Sequence, residues 1–213
     1  NSMVGNGKRI GSNMAVLVAL YLRRVLRGSE FMNNEIIETI KYHIKNRMYI
    51  TIERVFENEL NAVSGFPLII TDKYLLMTVI VDFHDEGYTI LKIDDISDAY
   101  SNENDVFYEK ICIHEGLREK SIPQFLSNLS NIQQILYDLK KYTGFITIPC
   151  EKQKKNYAFY LGIVQDIKND CVIFKDVDMN GKWSSVTGEI LLDDITQITF
   201  DDNYSRMYCK YVK

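Results

Sequence analysis

The sequence predicts a mostly β fold with accompanying helices, arranged as two tandem units in which a helix precedes five strands that would curl into a small barrel. Three observations carry this. Fourteen Tyr, ten Phe and frequent Ile and Val favour strands, while three Pro and eleven Gly in 213 residues argue against a disordered or linker-rich chain. A helix-then-strands order can be read twice along the chain. A short string also recurs 99 positions on: Ile93-Asp94-Asp95-Ile96-Ser97 and Leu192-Asp193-Asp194-Ile195-Thr196.

Residues 1–31 are set aside first. Arg27-Gly28-Ser29-Glu30-Phe31 reads as two adjacent restriction sites in translation, and Met32 follows as a native start, so 1–31 is expected to be a vector-derived leader. Its apolar stretch, 14–26, is shorter than the roughly 20 residues that a bilayer span needs. If native, it would lie in a membrane interface with Arg23, Arg24 and Arg27 among the headgroups.

The first unit is expected over 32–120. Asn34 is a suitable N-cap, and Ile36, Ile37, Ile40 and Ile44 form a helical face. Strands are expected over 49–56, 65–71, 75–83, 88–99 and 106–113. The second unit is expected over 121–213. Ser121-Ile122-Pro123 reads as a helix start, Phe125, Leu126, Leu129, Ile132, Ile135, Leu136 and Leu139 form the apolar stripe, and Gly144 is the stop. Strands are expected over 145–150, 157–166, 171–178, 189–200 and 206–211, separated by turn-rich segments. Gly65 aligns with Gly162 and Asp82 with Asp178, at offsets of 97 and 96, so internal duplication is expected. The repeated Asp-Asp-Ile step should mark where a long strand bends, with its acids exposed at the kink.

In the second unit, Leu161-Gly162-Ile163-Val164-Gln165-Asp166, then Cys171-Val172-Ile173-Phe174 and Asp176-Val177, resembles the first motif of Sm-like proteins, which are small barrels of SH3 type. The likeness covers about 121–213 and, more loosely, 34–117, and it implies a helix followed by five bent strands. It does not extend to the family's RNA-binding residues. Where the family places a polar pair and an Arg-Gly, this chain has Lys168-Asn169-Asp170 and Leu191-Leu192-Asp193-Asp194.

Charge points the same way. The chain carries -4, and residues 1–31 contribute +4 of it from Lys8, Arg9, Arg23, Arg24 and Arg27 against Glu30, leaving -8 on 32–213. An acidic body is a poor platform for phosphates, whose binding depends on Lys and Arg displacing counterions, so nucleic acid is not expected as a partner. Cys112, Cys150, Cys171 and Cys209 form no CxxC pair and no secretory signal is evident, so four reduced thiols and a cytoplasmic location are expected, with one disulfide left open.

The motifs with chemical content are weak. Asp176-Val177-Asp178-Met179-Asn180-Gly181 opens like a calcium loop, but Thr187 stands at its twelfth position, and the same residues suit a hairpin turn. Cys112-Ile113-His114 lacks a second ligand pair for zinc. The acids Asp82, Asp85 and Glu86, like Asp94 and Asp95, suit general acid–base work or a solvated turn. Lys152, Lys154 and Lys155 read as a hairpin tip. Trp183, the one tryptophan, sits in a loop and is the candidate partner-binding residue, either as an interface anchor or as a lid folded onto the core. No catalytic, cofactor-binding or metal-binding residue is assigned, and no cofactor is expected. The expected function is a non-enzymatic binding protein, of inhibitor or immunity type, that masks a basic protein partner or holds a small ligand. The alternatives are a degenerate Sm-like nucleic-acid binder and an enzyme with its site between the two units.

Overall fold

The computed structural model describes residues 29–126, 128–142, 144–152 and 158–212, so residues 1–28 of the leader proposed for 1–31 and most of the Lys152 to Lys155 run lie outside it. Helix α1, Ser29–Asn46, leads into β1, Ile50–Phe56, β2, Glu59–Gly65, β3, Pro67–Ile70, β4, Tyr74–Val81, and β5, His84–Lys92. A single 3-10 turn, Ile93–Asp95, then turns the chain into β6, Ile96–Tyr100, and helix α2, Glu103–His114. The second half runs α3, Ile132–Lys141, β7, Ile146–Cys150, β8, Ala158–Ile167, β9, Cys171–Asp176, β10, Gly188–Leu191, β11, Gln197–Phe200, and α4, Asn203–Tyr211.

All pairing is antiparallel, in two sheets. One has the order β2-β1-β6, and the other runs β10-β9-β8-β7-β11-β5-β4-β3. The fold is therefore mixed and mostly β. The expected closed barrels are not formed: both sheets are open, and the chain crosses from the first to the second at Phe66, between β2 and β3. In each half the last strand lies beside the first, β6 on β1 and β11 on β7. The halves are joined by β11 pairing with β5, from Gln197↔Leu91 to Phe200↔Tyr88.

Side-chain alternation explains the cores. In β4, Leu75 and Met77 enter the core of the first half with Ile40, Ile50 and Ile52, while Tyr74 and Leu76 enter a larger core with Leu136, Ile148, Phe174 and Phe200. Strand β5 divides the same way, with Leu91 on one side and Ile90 on the other. A strand covered on both faces must be apolar throughout, hence the uninterrupted run Tyr74-Leu75-Leu76-Met77. Burying such a side chain contributes about 1.5–3 kcal/mol.

Several boundaries differ from expectation for identifiable reasons. The strands expected over 106–113 and 206–211 are helices α2 and α4. Aromatic and β-branched residues favour strands, but Asn102 and Asp105 form a reciprocal capping box, and Asp202 caps Ser205 N at 2.8 Å. Helix α3 starts at Ile132, where Asn131 accepts from Gln134 N at 2.8 Å; Ser121 to Pro123 does not begin it. Helix α1 begins at Ser29, upstream of Asn34. Each long strand expected to bend at Asp-Asp-Ile is two strands with a turn between. Asp94 is exposed there, but Asp95 is turned inward against Lys152 at 2.7 Å.

Candidate functional site

Arg54 is the largest fully buried side chain, at 1% exposure, although its neighbours in β1 give no sign of that. A buried guanidinium needs a carboxylate and its donors filled. Glu151, just after β7, lies 2.7 Å from one terminal nitrogen, and Gln197 Oε1 accepts from the other at 2.5 Å. The Glu151 carboxylate also accepts from Thr196 Oγ1 at 2.6 Å, and the Phe56 ring lies 5.3 Å from the guanidinium carbon. This ion pair therefore connects β1 of the first half to the β7 end and the β11 start of the second.

Above it opens a groove of about 740 Å³, within the size range of ligand sites. One wall belongs to the first half: Ala62, Val63 and Ser64 of β2, Val79, Ile80 and Val81 of β4, and Tyr49 and Tyr108. The opposite wall belongs to the second half: Thr147, Pro149 and Glu151 near β7, Phe159 of β8, Gln197 and Thr199 of β11, and Tyr204 of α4. The first turns of α2 and α4 complete it, through Asn104 with Asp105 and Asp202 with Tyr204.

Charge dominates the lining. Asp82, Glu86, Asp105, Glu151 and Asp202 are all present, and none of the described lining residues is Lys, Arg or His. Arg54 offsets one carboxylate, and two helix N-termini offset about half a charge each, so roughly three negative charges remain. Three of the five acids have structural duties: Glu151 holds Arg54, Asp202 caps α4, and Asp105 closes the capping box of α2. Glu86 accepts from Asn203 N at 3.3 Å. Asp82 stands in the two-residue turn Asp82-Phe83, with φ of 47° and 61°, which projects it at the rim. Burial pushes the Tyr49 phenol well above its ordinary value, with Tyr108 adding to the shift, so Tyr49 is a neutral hydrogen-bonding group rather than a base.

The residues singled out in the sequence are dispersed. Asp82 and Glu86 reach the groove, whereas Asp85 turns away to Lys120 at 2.6 Å. Trp183 is not in the groove. It is half-buried over a satellite core, edge-on to Phe145 at 5.3 Å, with the Lys175 ammonium 4.5 Å from its ring. In the calcium-like run, Asp176 accepts from Leu161 N of β8 at 3.0 Å, and Asp178 from Asn180 N and Lys182 N at 2.9 Å each, so one carboxylate ties β9 to β8 and the other serves the turn. Cys112 is buried in α2 while His114 has 87% of its side chain exposed, and the described residues hold no group of three metal-ligating side chains. None of the four cysteines is in a disulfide, and burial pushes Cys150 up to about 12, which leaves it an inert apolar group. No described helix is long and apolar enough to cross a membrane. Sequence reading missed Glu151, Asp105, Asp202, Tyr108 and Tyr204. The Asx caps at 102 and 202, which mark α2 and α4, were the available signal for four of them, all but Glu151.

Comparison with protein-family models, curated proteins and solved structures finds no match.

Proposed function

We propose that this chain is a non-enzymatic binding protein that receives a basic segment of a protein partner in the groove between its halves. The observation that carries the reading is the lining itself: five carboxylates and three tyrosines, with no cationic side chain among the described residues that face it. Carboxylates attract Lys and Arg, and Tyr faces attract the same cations through their ring quadrupoles. Phosphate backbones would be repelled, which sets the nucleic-acid reading aside.

We also read the halves as two copies of one Sm-like unit, each opened toward the other. An ungapped offset of 96 takes Ile36 to Ile132, Ile40 to Leu136, Tyr49 to Phe145 and the string Ile50-Thr51-Ile52 to Ile146-Thr147-Ile148. Ile50 pairs with Gly65, and Ile146 with Gly162. The turn bond Thr71 N to Tyr74 O, 2.9 Å, has its counterpart in Lys168 N to Cys171 O, 2.8 Å, and Ile93 N to Lys73 O in Leu192 N to Asp170 O, both 2.9 Å. Under this reading the units extend over about 32–120 and 121–213.

The test is calorimetric titration with a Lys- and Arg-rich peptide at rising salt. Asp82→Asn with Glu86→Gln is the informative variant, because the other three acids hold the fold together and Asn tolerates the left-handed backbone at 82. Affinity should fall with salt, and by about tenfold or more in the variant, in line with about 1.5–3 kcal/mol for a charged hydrogen bond. Equal binding by the variant, or tighter binding of single-stranded RNA, would overturn the reading.

A further inference from the structure

Resting on that reading, the geometry points to a specific way in which the basic segment docks: as an added β-strand in the fork between β2 and β4. Strand β2 has one ladder partner, β1, from Ile50↔Gly65 to Phe56↔Glu59, and it forms the edge of its sheet. Strand β4 pairs with β3 only as far as Pro67↔Met77, and the bond from Thr78 N to Phe66 O, 2.9 Å, is the crotch of the fork. Beyond it β4 pairs with β5 alone, through Ile80↔Asp85 and Val81↔His84. The two strands thus diverge, and Ala62 to Ser64 face Val79 to Val81 across the groove, each with a strand edge that carries no ladder.

A strand edge holds unpaired amide and carbonyl groups, and an extended peptide satisfies them by pairing. Edges that must stay vacant usually carry Lys, Pro or inward charges. Ala62, Val63 and Ser64 have none of these, and their small side chains permit close main-chain approach. The second half closes the corresponding fork with its own chain, where Val177 N donates to Leu161 O at 2.8 Å. In the first half no ladder joins β2 to β4 among the described residues.

Two properties of the occupant follow. Pairing along about three residues of edge, at about 3.3 Å per residue, calls for an extended segment of four to six residues. Successive side chains then point to opposite faces, one toward Val63 and Val79 and the other toward the carboxylates at Asp82 and Glu86. The partner segment is therefore an alternation of basic and β-branched apolar residues, not a basic helix or an unstructured cationic tail.

The experiment compares a six-residue alternating Arg-Val peptide with two versions, N-methylated at the odd or at the even positions, by calorimetry on the full chain. Both N-methylated versions should weaken binding at least tenfold, since successive amides of an inserted strand face the β2 edge and the β4 edge in turn. Hydrogen exchange at 62–64 should slow when the parent peptide is added. Equal binding of all three peptides without added protection, but still sensitive to D82N with E86Q, overturns strand addition and leaves the acidic groove standing. Failure of the parent peptide to bind overturns both.

Discussion

Glu151 shows how much one side chain holds in place here. It retains 8% of its side-chain surface, contacts Arg54 and accepts from Thr196, and its partner is nearly inaccessible to water. Removing one member of such a pair leaves a buried charge uncompensated, whereas replacing both with apolar groups removes the problem. Glu151→Ala should therefore cost about 3–5 kcal/mol in urea unfolding at neutral pH, and Arg54→Met with Glu151→Leu should recover most of it. A loss below about 1 kcal/mol for Glu151→Ala would mean that water reaches the guanidinium. None of this was legible in the chain. Arg54 sits in Ile52-Glu53-Arg54-Val55, which reads as an ordinary strand, and its carboxylate is 97 residues away.

At the scale of elements, the glycines aligned by sequence have the same duty. An added Cβ at Gly65 would collide with the Thr78 carbonyl, and one at Gly162 with the Lys175 carbonyl, because the first lies flat against β4 and the second against β9. Backbone cannot yield as a flexible side chain can, so Gly65→Ala and Gly162→Ala should each cost about 1–3 kcal/mol. Gly188→Ala, where the nearest atom would be a Tyr160 ring carbon at 3.8 Å, should change the thermal midpoint little. A tolerated Gly162→Ala would show that β8 and β9 can part at this point. Periodicity exposed most of the strands, because burial on one or both faces leaves a direct imprint on sequence. It misread α2 and α4, whose Tyr, Phe, Ile and Cys residues favour extended backbone. What decides those segments is a few cap hydrogen bonds at Asn102 and Asp202, worth about 1 kcal/mol each.

Across the whole molecule, buried phenols set a limit at high pH. Burial raises Tyr49, Tyr74, Tyr88 and Tyr100 in the first half and Tyr142 and Tyr160 in the second, with Tyr142 pushed up to about 12. A phenol that ionises less readily when folded stabilises the native state fully below its unfolded value near 10, and that contribution is lost as pH climbs toward the folded value. Lys92, lowered by burial, acts in the opposite direction but is one group against six. Cys150, raised from about 9, adds to the loss, so thermal midpoints should fall from about pH 9 upward, and Tyr142→Phe should flatten the fall above about pH 10. An unchanged slope in that variant would show that Tyr142 already meets solvent. The seam between halves lay beyond sequence reading, since β5 and β11 meet across more than a hundred residues and strand pairing carries no local mark.

That seam has a kinetic consequence. The two walls of the groove are not domains on a hinge: β5 and β11 run through them as adjacent strands of one sheet, and Arg54 fastens them from below. Widening the groove would require breaking a ladder, which is far slower than diffusional encounter. A ligand therefore meets a finished mould, and association should follow a single concentration-dependent phase without a trailing rearrangement. Substitutions of the uncharged lining residues would then alter how long the ligand stays much more than how quickly it arrives, whereas loss of the rim carboxylates would also slow arrival.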